Sequence, residues 1–168
     1  MKNNLIQPIA SVTSTSGLDG NIKLKPLSRF FDDYIIDGRL YIGDSVDKLK
    51  NCYLEHIKGI GKSRSFKLKD HNTASDAKSL IGKRIFIKAN IGDKITYVSS
   101  HVVGYQVKNS SNELIGELKD VMWLPNNDVY VIQNYEKEIL VPVISEFVKQ
   151  VRHDKKLIII EPIEGLLD

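Results

Sequence analysis

Several stretches of this chain carry residue types that could do chemistry. Gly59-Ile60-Gly61-Lys62-Ser63 has the close of a phosphate-binding loop, in which glycine backbone N–H groups and a lysine cradle phosphates. That loop also needs an earlier glycine, where His56 stands, and a helix whose positive end meets the anion. The next residues, Arg64-Ser65-Phe66-Lys67-Leu68-Lys69, alternate like a strand, so a turn is expected there and not a nucleotide site. Ser75 and Lys78 have the spacing of a serine-lysine acylase, but no partner motif accompanies them. His56, His71, His101 and His153 show no paired-histidine or histidine-carboxylate spacing, so isolated surface histidines are expected and no metal. Gly17-Leu18-Asp19-Gly20 spells the GxxG of a KH loop, yet extended segments flank it where that loop needs helices. Cys52 is the single cysteine; it excludes an internal disulfide, points to a reducing compartment and reads as a small core hydrophobe. No catalytic, cofactor-binding or metal-ligating residue is assigned, and the chain is not read as an enzyme.

The elements that must position these residues are mostly short strands. Ile22 and Leu24 alternate with Asn21, Lys23 and Lys25, and Phe66 and Leu68 with Ser65, Lys67 and Lys69, the period of a strand with one wet face. Gly17 and Gly20 bracket a turn that enters a hairpin. Ala74, Ala77, Leu80 and Ile81 recur at helical spacing after Asn72 or Thr73, either of which can cap, and Gly82 ends the pattern. This is the one helix expected in the first half. Ala89 to Thr96 has little periodicity and reads as a linker. Strands then come near 102–107, 114–124, 129–133, 138–143 and 157–161, separated by polar turns. The fold class expected is mainly β: two small antiparallel β-barrels, 1–90 and 98–168, joined by a short linker with one or two short helices.

Charge divides the same way. Residues 1–97 hold 17 Lys+Arg against 10 Asp+Glu, while residues 98–168 hold 7 against 11, so a balance of +7 faces one of −4. The first half could meet a phosphate backbone, with Lys23, Lys25, Lys67 and Lys69 as phosphate contacts on the wet positions of strands, or these lysines could simply be solvated. Arg29, Lys62 and Arg64 belong to the same basic set. In the second half Trp123 ends a strand beside Pro125 and the polar turn Asn126-Asn127-Asp128. It is either an interface anchor or a plug in one mouth of the barrel. Nowhere do eighteen apolar residues run together, so neither a membrane span nor a signal segment is expected and the chain reads as cytoplasmic.

The order and spacing of these pieces resemble the RimM family of ribosome maturation factors from about Ile9 to Leu167. The resemblance rests on Gly17-Leu18-Asp19-Gly20 followed by Asn21-Ile22-Lys23-Leu24-Lys25, and on the helix before Gly82. In the second half it rests on Leu114-Ile-Gly-Glu-Leu118, Asn127-Asp-Val-Tyr-Val131, Ile139-Leu-Val-Pro142, Glu146-Phe-Val-Lys-Gln-Val151 and Glu161-Pro-Ile-Glu-Gly-Leu-Leu167. It implies an N-terminal barrel similar to those of translation factors and a C-terminal barrel of the photosynthetic-reaction-centre type. It also implies a monomeric, non-catalytic assembly factor that binds the immature 30S particle and its 16S rRNA, together with ribosomal protein nineteen of the small-subunit head. Tyr97, Trp123, Asn126, Asn127 and Asp128 would form the protein interface. Two departures are Ser16, where the family has histidine or tyrosine, and Tyr97-Val98-Ser99, which reduces an aromatic cluster to one ring. The rival reading is an adaptor or small-molecule enzyme that reuses the two barrels, since fold alone does not fix function.

Overall fold

The computed structural model describes residues 4–37, 39–161 and 165. The chain divides into two compact units, Met1–Ile91 and Gly92–Asp168, each built on its own sheet. The closing Pro162-Ile-Glu-Gly-Leu-Leu167 motif falls, apart from Gly165, outside the described residues.

The first unit contains β1 (Asn4–Ser16), β2 (Asn21–Pro26), α1 (Phe31–Asp37), β3 (Leu40–Gly43), β4 (Lys50–Cys52), β5 (Leu54–Lys58), β6 (Ser65–Leu68), α2 (Ala74–Lys78) and β7 (Arg84–Asn90). Its sheet runs β4-β3-β7-β1-β2-β6-β5, with every pair antiparallel. The long central strand β1 carries a proline, which cannot donate to a ladder. Pro8 is accommodated because the register to β7 shifts between Pro8 and Ala10, and the Ile9 carbonyl turns to accept from Leu27 N–H at 2.8 Å. Ile9, Ile22, Phe66, Leu68, Ile85 and Ile87 from these strands form the core, and α1 adds Phe31 and Ile35.

Helix α1 goes beyond the single helix expected in this half. Its one apolar turn, Phe31 and Ile35, is too short for a periodic signal, and Asp32 and Asp33 in the first turn complement the helix dipole. Helix α2 begins where expected and is shorter. Thr73 is the cap: its hydroxyl accepts from Asp76 N–H at 3.1 Å, and the Asp76 carboxylate accepts from Thr73 N–H at 3.0 Å. The Thr73 hydroxyl bond, then the Asn72 N–H, hold the Asp76 carboxyl below its usual range.

The second unit contains β8 (Gln106–Asn109), β9 (Leu114–Met122), β10 (Val129–Asn134), β11 (Lys137–Pro142), β12 (Val148–Arg152) and β13 (Leu157–Ile160), ordered β11-β10-β9-β8-β13-β12. All pairs are antiparallel except β8 and β13, which run parallel with Ile158 opposite Val107. That pairing departs from an all-antiparallel barrel. Strand β12 was not marked by alternation, since its exposed Lys149 and Gln150 lie together at a register shift. Gly116 sits where an added Cβ would lie 2.3 Å from the Gln133 carbonyl, which brings β9 tightly onto β10.

The turn between β1 and β2 shows why its two glycines differ. Both have positive φ, +69° at Gly17 and +87° at Gly20. A Cβ on Gly17 would meet open space, whereas one on Gly20 would lie 1.9 Å from the His71 carbonyl oxygen. Gly17→Ala is therefore expected to cost about 1 kcal/mol of backbone strain. Gly20→Ala should cost clearly more, because the turn and the His71 backbone must separate. Chemical denaturation of the two variants checks this order, and equal midpoints would contradict the close approach.

Candidate functional site

The basic surface of the first unit is smaller than its charge count. Lys67 was expected on the wet face of β6, but all four residues of that strand are buried and Lys67 is 6% exposed. Its ammonium donates to Asn72 Oδ1 at 2.9 Å and to the Leu68 carbonyl at 3.1 Å, and it lies 3.4 Å from Glu55. A buried cation survives only with such partners; Lys67 ties β6 to the approach to α2. Lys23 is likewise engaged, donating to the carbonyls of Ser63 at 2.6 Å and Arg64 at 3.0 Å. Arg64 pairs with Asp32 and lies over the rings of Phe31 and Phe66, with centroids at 5.8 and 5.6 Å. Lys25, Arg29, Lys62 and Lys69 are the exposed members of the set.

The Gly59–Ser63 stretch is the turn joining β5 and β6, and it leads into a strand instead of a helix. Its Ser63 hydroxyl is taken up by the Ile60 carbonyl at 2.7 Å and the Ile60 N–H at 3.2 Å, which closes the turn on itself. Cys52 is buried and its thiol is pushed up to about 12 by desolvation, so it stays protonated as a core side chain.

Of the segment read as a linker, 89–96, Ala89 and Asn90 end β7, while Ile95 and Thr96 enter the core of the second unit together with the residues that follow. Ile95, Thr96, Val98 and Ser99 are buried. Two side chains of the sheet clamp the backbone here: the Tyr130 hydroxyl donates to the Tyr97 carbonyl at 2.6 Å, and Trp123 Nε1 donates to the Val98 carbonyl at 2.9 Å. Tyr130 is wholly buried, and burial first, then the neighbouring Tyr97 and Asp128, keeps its hydroxyl protonated. Trp123 is partly packed and partly exposed. Its N–H is bonded inward while its side chain stays 40% exposed, as are its neighbours Met122 and Leu124. Asn126 and Asn127 are exposed and Tyr97 is half-buried. Asp128, expected at the interface, is instead 7% exposed, and its carbonyl accepts from Val143 N–H at 2.8 Å, so it shapes the turn. Met122 and Leu124 were legible only as neighbours of Trp123.

The histidines are not all isolated. His101 and His153 face each other at 6.4 Å between ring centroids, and the Tyr105 hydroxyl shares a 3.1 Å hydrogen bond with His153 Nδ1. Tyr105 and His153 are 48 positions apart in the chain, so no local motif could show this. Burial, then the charge of His101, lowers the His153 pKa, with Asp154 opposing, while burial raises that of Tyr105. Among the described residues no group of three or more metal-ligating side chains gathers.

Two outcomes are expected from these placements. Lys67→Gln should destabilise the first unit by about 1–3 kcal/mol, the range for buried hydrogen-bond groups left unpaired. Lys69→Gln should change little, and amide exchange in β5 and β6 distinguishes the two. For His153, a lowered folded pKa means that the unfolded chain binds more protons, so stability is full above about 6.5 and falls as pH drops below it. The thermal midpoint read from Trp123, the chain's single tryptophan, should decline on acidification, and less so in His153→Gln. An identical decline in that variant would assign it to other groups.

Comparison with known proteins finds a family match for each unit. Residues 8–91 match the family model of the RimM N-terminal domain, and residues 99–166 that of the RimM PRC barrel domain. The chain is 33% identical to the ribosome maturation factor RimM of Thermoanaerobacter sp. (strain X514), with 94% of this chain and 96% of that protein covered. It is 31% identical to the RimM of Caldanaerobacter subterraneus subsp. tengcongensis, again covering 94% and 96%. Among solved structures, a 16S ribosomal RNA processing protein RimM from Pseudomonas aeruginosa is similar at 18% identity and a TM-score of 0.45, covering 95% of this chain and 98% of that one. With both family domains matched in order along nearly its whole length, the chain belongs to the RimM family.

Proposed function

We propose that this protein is a non-catalytic maturation factor of the small ribosomal subunit, working in the cytoplasm as a monomer. It binds the immature 30S particle through ribosomal protein nineteen of the head while the neighbouring 16S rRNA folds. The observation that carries this reading is the end-to-end match to proteins named ribosome maturation factor RimM. The acidic second unit suits a basic ribosomal protein, and the exposed Met122-Trp123-Leu124 strip beside Asn126 and Asn127 supplies an apolar contact with a polar rim. On the first unit, Lys25 and Lys69 offer exposed charge to rRNA phosphates.

The mechanism is differential binding. A factor that binds a productive intermediate more tightly than the finished particle raises the population of that intermediate and leaves when the particle matures. No bond is made or broken. Among the described residues no helix is long and apolar enough to cross a membrane.

In sucrose gradients the protein should travel with 30S precursors and be depleted from 70S ribosomes. Trp123→Ala should weaken its complex with the purified head protein by about 2 kcal/mol, as for a central aromatic anchor. Trp123→Phe keeps most of the ring and should lose less. Equal occupancy of mature and immature subunits would overturn the assembly reading, and full affinity in Trp123→Ala would remove that residue from the interface.

A further inference from the structure

The first unit contains an open cleft of about 760 Å³ that none of Lys23, Lys25, Lys67 and Lys69 lines. Its wall is Ile87 of β7. Around it stand Phe30 and Tyr34 from the α1 region, Tyr41 of β3, and the cations Arg39 and Lys88. Phe30, Tyr34 and Tyr41 are each half-buried, and Arg39 and Lys88 are exposed. Lys88 Nζ lies 5.2 Å from the centre of the Tyr41 ring, where a cation meets the negative face of the aromatic system.

We propose that this cleft holds a nucleotide of single-stranded RNA, its base stacked on Tyr34 or Tyr41 and its flanking phosphates met by Arg39 and Lys88. The proposal rests on the reading that the protein meets unfolded rRNA, and adds where and in which form. Stacking platforms beside cations are the recurring means of holding single strands, because every base has a π-face and every linkage a charge. The volume falls in the range of small-ligand sites. Asp33, which also lines the cleft, repels a phosphate but accepts hydrogen bonds from an exocyclic amine or a ribose 2′-hydroxyl. That favours a ribonucleotide over a bare phosphate. An acidic peptide would satisfy the two cations and leave the three rings without a matching partner.

The test is fluorescence anisotropy of labelled seven-nucleotide RNAs, one of uridine and one of adenosine, titrated with the full chain. Tyr34→Leu and Arg39→Gln should each weaken binding at least fivefold, consistent with the contribution of one stacked base. Lys62→Gln, an exposed cation outside the cleft, should change it less than twofold. A labelled heptaglutamate peptide should bind more weakly than either RNA. Arg39 lies on the surface, so its variant keeps the test valid if Tyr34→Leu fails to fold. Absence of binding to both RNAs, equal losses in all three variants, or tighter binding of the peptide would overturn the proposal. Co-sedimentation with 30S precursors separates the two readings: retained sedimentation without cleft-dependent RNA binding removes this inference alone. Cleft-dependent RNA binding without sedimentation supports the cleft and removes the maturation reading.

Discussion

The second unit depends on the buried hydrogen bond from the Tyr130 hydroxyl to the Tyr97 carbonyl. A wholly buried phenol without an acceptor would cost more than the bond returns, so the 97–99 segment must lie against β10. Once it does, the Val98 carbonyl is within reach of Trp123 Nε1, and the indole is fixed with its outer part in solvent. An apolar anchor held in one orientation loses little rotamer freedom on binding. Removal of water from one hydroxyl on β10 thus fixes a half-exposed indole just beyond β9.

The first unit uses its charge differently. Lys67, Lys23 and Arg64 spend their donors on carbonyls, an amide and a carboxylate within the unit. A positive balance counted along the chain therefore overstates the charge that a phosphate backbone meets. Of the basic set weighed for rRNA, Lys25, Arg29, Lys62 and Lys69 stay exposed; Arg39 and Lys88 at the cleft and Lys48, Lys50, Lys58 and Lys78 elsewhere on the unit are exposed as well. Each phosphate that an exposed cation neutralises adds salt-sensitive affinity, so the cations withdrawn into the unit lower the salt dependence expected from the sequence count.

Much of the architecture was legible because its signals are local. Gly17 and Gly20 marked the first hairpin, Thr73 the start of α2, and alternation of apolar residues most of the strands. The failures have two physical origins, elements too short or irregular to show a period, such as α1, and contacts between separate parts of the chain. Lys67 alternates like a solvent-facing residue, but Asn72 and Glu55 cover it. Ile95 and Thr96 lack periodicity because they sit in a 3-10 turn packed into the core. The His101–His153 approach and the aromatic cleft are assembled from separate elements, so no window along the chain contains them. Exposure beyond β9 was legible in part: Trp123, Asn126 and Asn127 are exposed, while Asp128 turns inward.

In the proposed function the protein recognises an unfinished small subunit with a preformed surface around Trp123. Amide hydrogen exchange of the full chain, compared free, with 30S precursors and with mature 30S subunits, tests it most directly. Protection is expected at 122–127 with precursors, weak protection with mature subunits, and already slow exchange at 95–99 in the free protein. Equal protection by both particles, or none at 122–127, would contradict it.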